Sequence, residues 1–163
     1  MLTIRRAEGD DWAAVWPLWH RVVATGETYM WSPSTPADAA RAAWMLPPPA
    51  AVYVAELSAG TVVGTAQLRP NQPGLGDHVC NAAFMVDPDH GGQGIGRRLA
   101  LHVIDDATRR GYRAMQFNAV VETNTAAVAL WTSLGFSIIG TVPAAFRHAR
   151  HGLVGTHVMH RAL

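Results

Sequence analysis

The chain contains no lysine, so its 13 basic residues are all arginine. Charge is scarce, at 15% of 163 residues, and almost balanced, with a formal net charge of +1. Nothing in that balance favours DNA, RNA or an anionic membrane surface as a partner. Cys80 is the single cysteine. An internal disulfide is therefore excluded, and a reducing compartment is expected. No apolar run approaches membrane-spanning length. The start, "MLTIRRAEGD", lacks the long apolar core of a signal peptide, so a cytoplasmic location is expected. Heavy use of Ala, Gly and Arg points to a GC-rich bacterial genome. Internal repeats and linkers are absent too, so residues 1–163 are read as one domain. With 49% hydrophobic residues it has the material for a sizeable core.

Hydrophobic periodicity sets out the elements. "LTIRRA" reads as a short strand. Asp10 is placed to cap a helix over "DWAAVWPLWHRVVATG", with Trp12, Val15, Trp16, Trp19 and Val23 as a core-facing stripe. Pro17 is expected to kink that helix and Gly26 to end it. The loop "ETYMWSPSTP" leads to a short helix, "ADAARAAWM". "AVYVAEL" and "VVGTAQL" form a hairpin around the turn "SAGT". "HVCNAAFMV" is a further strand, ended by "DPDH". A helix then runs to about Arg110, with Ile95, Leu99, Val103 and Ala107 on one face. "RAMQFNAVV" is a strand, "TNTAAVALWTSLG" a helix capped by Thr123 or Asn124. "FSIIGTV" and "LVGTHVMHRA" are strands around the loop "PAAFRHARHG". The order β-α-α-β-β-β-α-β-α-β-β predicts an α/β chain with one mixed sheet and helices on both faces. His78 to Val121 makes a βαβ unit, so its two strands should run parallel.

The junction "DPDHGGQGIGRRL" puts four glycines between Gly91 and Gly96 at a helix start. The first turn of a helix has N–H groups with no internal partner and carries the positive end of the helix dipole. Glycines let an anion approach those groups and permit the φ > 0 geometry of an anion nest. The stretch therefore reads as a phosphate cradle, with Arg97 and Arg98 adding charge. It is not a Walker A loop, because arginines replace the Lys-Ser/Thr pair. Nor is it the dinucleotide fingerprint, since Arg97 falls where the third glycine belongs.

"VDPDHGGQGIGRRL" resembles the pyrophosphate loop of the GCN5-related N-acetyltransferases (GNAT). "NTAAVALWTSLGF" resembles their second hallmark, N-x-x-A-x-x-L-(aromatic)-x-x-x-G-F. The resemblance covers essentially the whole chain and implies a single N-acetyltransferase domain with acetyl-CoA as donor. It also implies that the strands matching His78–Val86 and Arg113–Val121, the fourth and fifth, splay apart to admit the pantetheine arm. Cofactor-binding residues carried over by position are Phe84, Met85 and Val86 through their backbone; Gly91, Gly92, Gln93, Gly94, Ile95, Gly96 and Arg97 at the diphosphate; and Asn124, Ala127 and Trp131 on the distal side. Two departures are visible. Gly91 stands where the family usually has Gln or Arg, and Trp131 replaces a tyrosine that often protonates the departing thiolate. Such acid help is worth ~10²–10⁴-fold where present.

Gln116, Asn118 and Asn81 are amides in strands that should be buried, where an unpartnered amide costs about 1–3 kcal/mol. They either satisfy frayed backbone or serve a ligand. "HVCNAAFMV…FNAVVETN" resembles the yeast acetyltransferases that detoxify proline analogues such as azetidine-2-carboxylate. That resemblance assigns Asn81 and Asn118 to the acceptor and Asn118 and Asn124 to catalysis. Glu122, Glu27 and His78 are candidates for a general base, Glu122 being preferred, with no base at all as the alternative. Glu27 and Tyr29 are taken as acceptor-binding, with Tyr29, Trp31 and Trp44 either forming one wall of the acceptor pocket or packing in the core. Cys80 reads as a buried, inert thiol. His148, His151, His157 and His160 are not read as a zinc site, and no metal is expected. The implied activity is acetylation of a small amine, such as an amino acid or toxic analogue. Alternatives are acetylation of protein N-termini and a catalytically silent acyl-CoA sensor. A homodimer stays open.

Overall fold

The structure is a computed structural model that describes residues 1–58 and 60–163. Its elements are β1 (Thr3–Arg6), α1 (Trp12–Ala24), α2 (Ala37–Trp44), β2 (Ala51–Leu57), β3 (Thr61–Pro70), β4 (Val79–Val86), α3 (Ile95–Arg109), β5 (Ala114–Val121), α4 (Thr125–Ser133), β6 (Ser137–His148) and β7 (Gly152–Ala162). The strands form one seven-stranded sheet in the order β1-β2-β3-β4-β5-β7-β6. Every neighbouring pair is antiparallel except β4 and β5. The turn expected at "SAGT" includes Ala59, which lies outside the described residues.

Helices cover both faces of the sheet. On one, α1 and α2 bury Val15, Leu18, Trp19, Val23, Ala40 and Trp44 against Val52, Val54 and Met85. Burying one such large side chain contributes about 1.5–3 kcal/mol. Trp44 also donates its indole N–H to the Thr65 hydroxyl at 3.0 Å, so its polar edge is satisfied inside the core. The expected tryptophan stripe is narrower than its spacing implied, because Trp12 and Trp16 are only half-buried. On the other face, α3 buries Ile95, Leu99, Val103 and Ala107, the four residues its periodicity selected.

The feature that matters for function lies at the centre of the sheet. The parallel β4–β5 ladder pairs only Val79 with Ala114 and Cys80 with Met115. One step further on, the Asn81 side-chain NH₂ donates to the Gln116 carbonyl at 2.9 Å, so a carboxamide satisfies the first backbone group that the lost ladder leaves free. Beyond it the strands part. Rings fill the base of the parting: Trp131 lies 5.0 Å from Phe84 and 4.6 Å from Phe117, and Phe117 stacks on Phe136 at 4.4 Å.

Two local expectations are corrected. Asp11, not Asp10, organises the start of α1: its carboxylate accepts from the Glu8 N–H at 2.7 Å and pairs with Arg5 at 2.8 Å. The stretch "PAAFRH" is strand rather than loop. Pro143 brings no N–H and Ala144 sits at φ 51°, so pairing lapses after Val142↔Thr156 and resumes at Phe146↔Val154. The lapse is a bulge, and the composition that reads as loop marks only its apex.

Cys80 is fully buried, its thiol directed at the Ala114 carbonyl at 3.4 Å, and burial pushes its pKa up to about 12. Its reaction with a chromogenic disulfide reagent at pH 8 should be at least ~100-fold slower in the folded protein than in urea. Equal rates would show that the β4–β5 junction opens freely.

Candidate active site

The glycine loop is built by the end of β4. Asp87 accepts the Asp89 N–H at 3.0 Å, shaping a single 3₁₀ turn over Pro88–His90. Arg21 of α1 clamps both carboxylates, Asp87 at 2.9 Å and Asp89 at 3.0 Å. Gly92 and Gly94 then take φ of 74° and 75°, the left-handed region where a Cβ is costly, and Gly94 caps α3. The backbone N–H groups of Gly92, Gln93, Gly94, Ile95, Gly96 and Arg97 find no acceptor among the described residues. A Cβ placed on Gly92 or Gly94 would meet nothing within 4 Å, so the space above the loop is open. Six unpartnered donors at a helix start suit a polyanion. The flanking side chains behave otherwise than expected. The Gly91 N–H is spent on the Pro88 carbonyl at 3.3 Å. Arg97 donates to the Ser133 hydroxyl at 2.9 Å, and Arg98 turns away to the Leu2 carbonyl at 3.0 Å. The unpartnered donors of the loop are therefore main-chain N–H groups, while both arginine side chains have partners within the protein.

A cleft of 630 Å³ runs along the parting of β4 and β5, with Val86, at the end of the strand that leads into this loop, in its wall. Phe84, Met85, Val86, Asn124, Ala127 and Trp131 all line it. Their main chains are not equivalent. Val79 accepts from Asn71 and Asp87 donates to Val63, so odd-numbered positions of β4 spend their polar groups on β3. By that alternation Met85 faces β3, while Phe84 and Val86 face the parting. Asn124 caps α4, its oxygen accepting from the Ala127 N–H at 3.3 Å, which leaves its NH₂ free among the described residues. Trp131 is 8% exposed, set in the ring cluster and offering no acid.

At the far end sits a chain of carboxamides. Gln116 donates to Asn118 at 3.0 Å, and Asn118 donates to Asn71 at 2.7 Å. Asn118 is exposed rather than buried, because the parting opens beside it. Asn81, Asn118 and Tyr29 line the cleft as expected, joined by Arg69 and by the buried, unpartnered hydroxyl of Thr28. Tyr29 hydrogen-bonds the Phe84 main chain, and burial holds its phenol well above the ordinary tyrosine range.

The carboxylates are placed elsewhere. Glu122 accepts the Gly155 N–H at 2.6 Å, and a Cβ on Gly155 would come within 2.9 Å of it, so this carboxylate ties β5 to β7. Glu27 pairs with Arg150 at 2.7 Å. Neither lines the cleft, nor does His78, and no aspartate or glutamate does so among the described residues. The structure thus places Glu122 at the β5–β7 junction and Glu27 in an ion pair with Arg150, apart from the cleft that Asn81, Asn118 and Asn124 line. Arg21, Arg69, Thr28 and Asn71 went unnoticed in the sequence, where no spacing rule marks them.

Residues 15–136 match the family described as Acetyltransferase (GNAT) family. The chain belongs to that family. A solved GCN5-related N-acetyltransferase from Kribbella flavida is 52% identical, covering 99% of this chain and 98% of that one with a TM-score of 0.95. A putative acetyltransferase of Salmonella typhimurium, yncA, solved with its cofactor acetyl-CoA, is 26% identical over 100% of this chain and 94% of that one, with a TM-score of 0.83. N-acetyltransferase aca1 of Schizosaccharomyces pombe is 36% identical over 99 residues, or 60% of this chain and 47% of that protein, in keeping with the yeast-like subgroup. The chain thus spans about half the length of that curated relative. The L-methionine sulfoximine/L-methionine sulfone acetyltransferase of Salmonella typhimurium is 32% identical, with 87% and 84% covered. No helix of this GNAT protein is long and apolar enough to cross a membrane among the described residues.

Glu122→Gln should lower the unfolding free energy by about 1–2 kcal/mol through the weakened bond to Gly155, while turnover per folded molecule is unchanged. A tenfold loss of turnover at unaltered stability would return this carboxylate to the chemistry.

Proposed function

We propose that the protein is an acetyl-CoA-dependent N-acetyltransferase acting on a small amine that carries a carboxylate, an amino acid or an amino-acid analogue. The row of six unpartnered N–H groups at the start of α3, directly after the strand that walls a cleft between parted strands, carries this reading. The donor set fits the cofactor: Gly92 to Arg97 would hold the diphosphate, the Phe84 and Val86 main chain the pantetheine amides, and the Asn124 NH₂ the distal arm. Acetyl-CoA supplies an acyl group activated on a good leaving thiol, so the absence of a tyrosine at Trp131 is tolerable.

The acceptor end supports the substrate class. Arg69 lines the cleft and has no acidic partner among the described residues, so its guanidinium is free for a carboxylate. Asn118 and Asn81 carboxamides can orient the acceptor without adding charge. A protein N-terminus would need an open groove between the loop after α1 and the turn between β6 and β7. Here those segments are joined: the Ala149 N–H donates to the Gly26 carbonyl at 3.0 Å, and Arg150 pairs with Glu27. That closure favours a small acceptor over a polypeptide.

With no carboxylate in the cleft, the amine must enter as the neutral base, its proton passing to solvent. kcat/KM should therefore rise with pH along the acceptor's own ammonium titration, and acceptors of lower amine pKa should reach their plateau at lower pH. A single enzyme-fixed inflection shared by all acceptors would contradict this.

The functional test is thiol release from acetyl-CoA against a panel of amino acids, their analogues and carboxylate-free amines. Release with none of them, despite coenzyme A binding, would leave a sensor. Arg69→Ala should raise KM for amino-acid acceptors roughly ten- to hundredfold, as expected for losing a charge-assisted bond, and leave carboxylate-free amines unaffected. An unchanged KM for amino acids would sink the carboxylate assignment.

A further inference from the structure

Phe84 is one of the positions of β4 whose N–H and C=O face the parting, where a neighbouring strand would ordinarily pair with both. In this structure both are taken by one side chain. The Tyr29 hydroxyl accepts from the Phe84 N–H at 3.0 Å and donates its proton to the Phe84 carbonyl. One oxygen thus does what a residue of the missing strand would do. The Tyr29 ring is stacked on Trp31 at 5.4 Å and 23°, and Trp31 packs in turn on Trp19 at 5.3 Å and Trp44 at 5.9 Å. Tyr29, Trp31 and the unpartnered Thr28 hydroxyl all line the acceptor end of the same cleft.

We propose that Tyr29 is a placeholder for the cofactor: its hydroxyl occupies the Phe84 hydrogen-bonding pair in the free protein, and arrival of the pantetheine arm displaces it. The inference rests on the acetyl-CoA reading given above. Its physical basis is that a buried N–H and C=O cannot stand unpaired without cost, and that only one partner fits on that edge at a time. Displacement also moves the ring stacked on Trp31, so cofactor binding reshapes the acceptor wall. Acceptor should then bind productively only after the cofactor.

Removing the hydroxyl removes the competitor. By calorimetric titration with coenzyme A, which needs no turnover, Tyr29→Phe should bind about three- to thirtyfold more tightly than the unchanged protein, the span expected for one or two net hydrogen bonds. The free variant should also unfold at lower temperature, its Phe84 groups being orphaned. A second measurement leaves the sequence intact. With fluorotyrosine incorporated, the Tyr29 resonance should move on adding coenzyme A while those of Tyr53 and Tyr112 stay put. Equal or weaker binding by Tyr29→Phe, or a Tyr29 resonance that does not respond to bound coenzyme A, would overturn the placeholder role with the cofactor reading intact. Failure of coenzyme A to bind the unchanged protein would overturn both.

Discussion

A parallel ladder that stops after two paired positions leaves the facing edges of β4 and β5 with polar main-chain groups and no strand between them. Such groups must find partners, and most of the functional architecture follows from how they do so. Asn81 repairs the first gap with a side-chain amide and Tyr29 repairs the one at Phe84. What remains is a slot wide enough for an extended chain. Phe84, Phe117, Trp131 and Phe136 hold it open from one face by packing against each other where a regular sheet would have closed.

β4 passes from the wall of this slot into the glycine loop. Arg21, on the far side of the sheet from α3, fixes Asp87 and Asp89 and so sets the direction in which the loop leaves the strand. Gly92 and Gly94 then take left-handed φ, and the N–H groups from Gly92 to Arg97 find no acceptor among the described residues. The row of unpartnered N–H groups is thus a consequence of backbone geometry, and an anion there would be drawn by main-chain dipoles more than by side chains. Asn118 and Arg69 both line the cleft, which gives it polar groups with no carboxylate among the described residues.

Much of this was legible in the sequence, and for physical reasons. The α3 face could be read because a buried helical stripe repeats every three to four residues, and the loop because glycines at a helix start are costly unless backbone exposure is useful. Asn124 as the α4 cap follows from capping chemistry, which depends on neighbours in sequence. What failed was long-range. Glu122 has the chemistry of a base, yet its partner is Gly155 on another strand, and no pattern near Glu122 announces it. Arg98 lies beside the glycine loop in sequence but reaches Leu2, just before β1, in space. The "PAAFRH" strand was hidden because Pro and Ala form the bulge while pairing depends on β7. Tyr29 was legible as a pocket-wall or core residue, but its bond to Phe84 required the fold.

The central claim is that the main chain from Gly92 to Arg97, together with the parted edge of β4, receives coenzyme A. The most direct measurement is amide NMR of ¹⁵N-labelled protein titrated with coenzyme A. The account predicts that the largest shifts fall on the amides of residues 92–97, with Phe84 and Val86 next. Perturbations that leave that loop untouched and cluster elsewhere on the surface would contradict it.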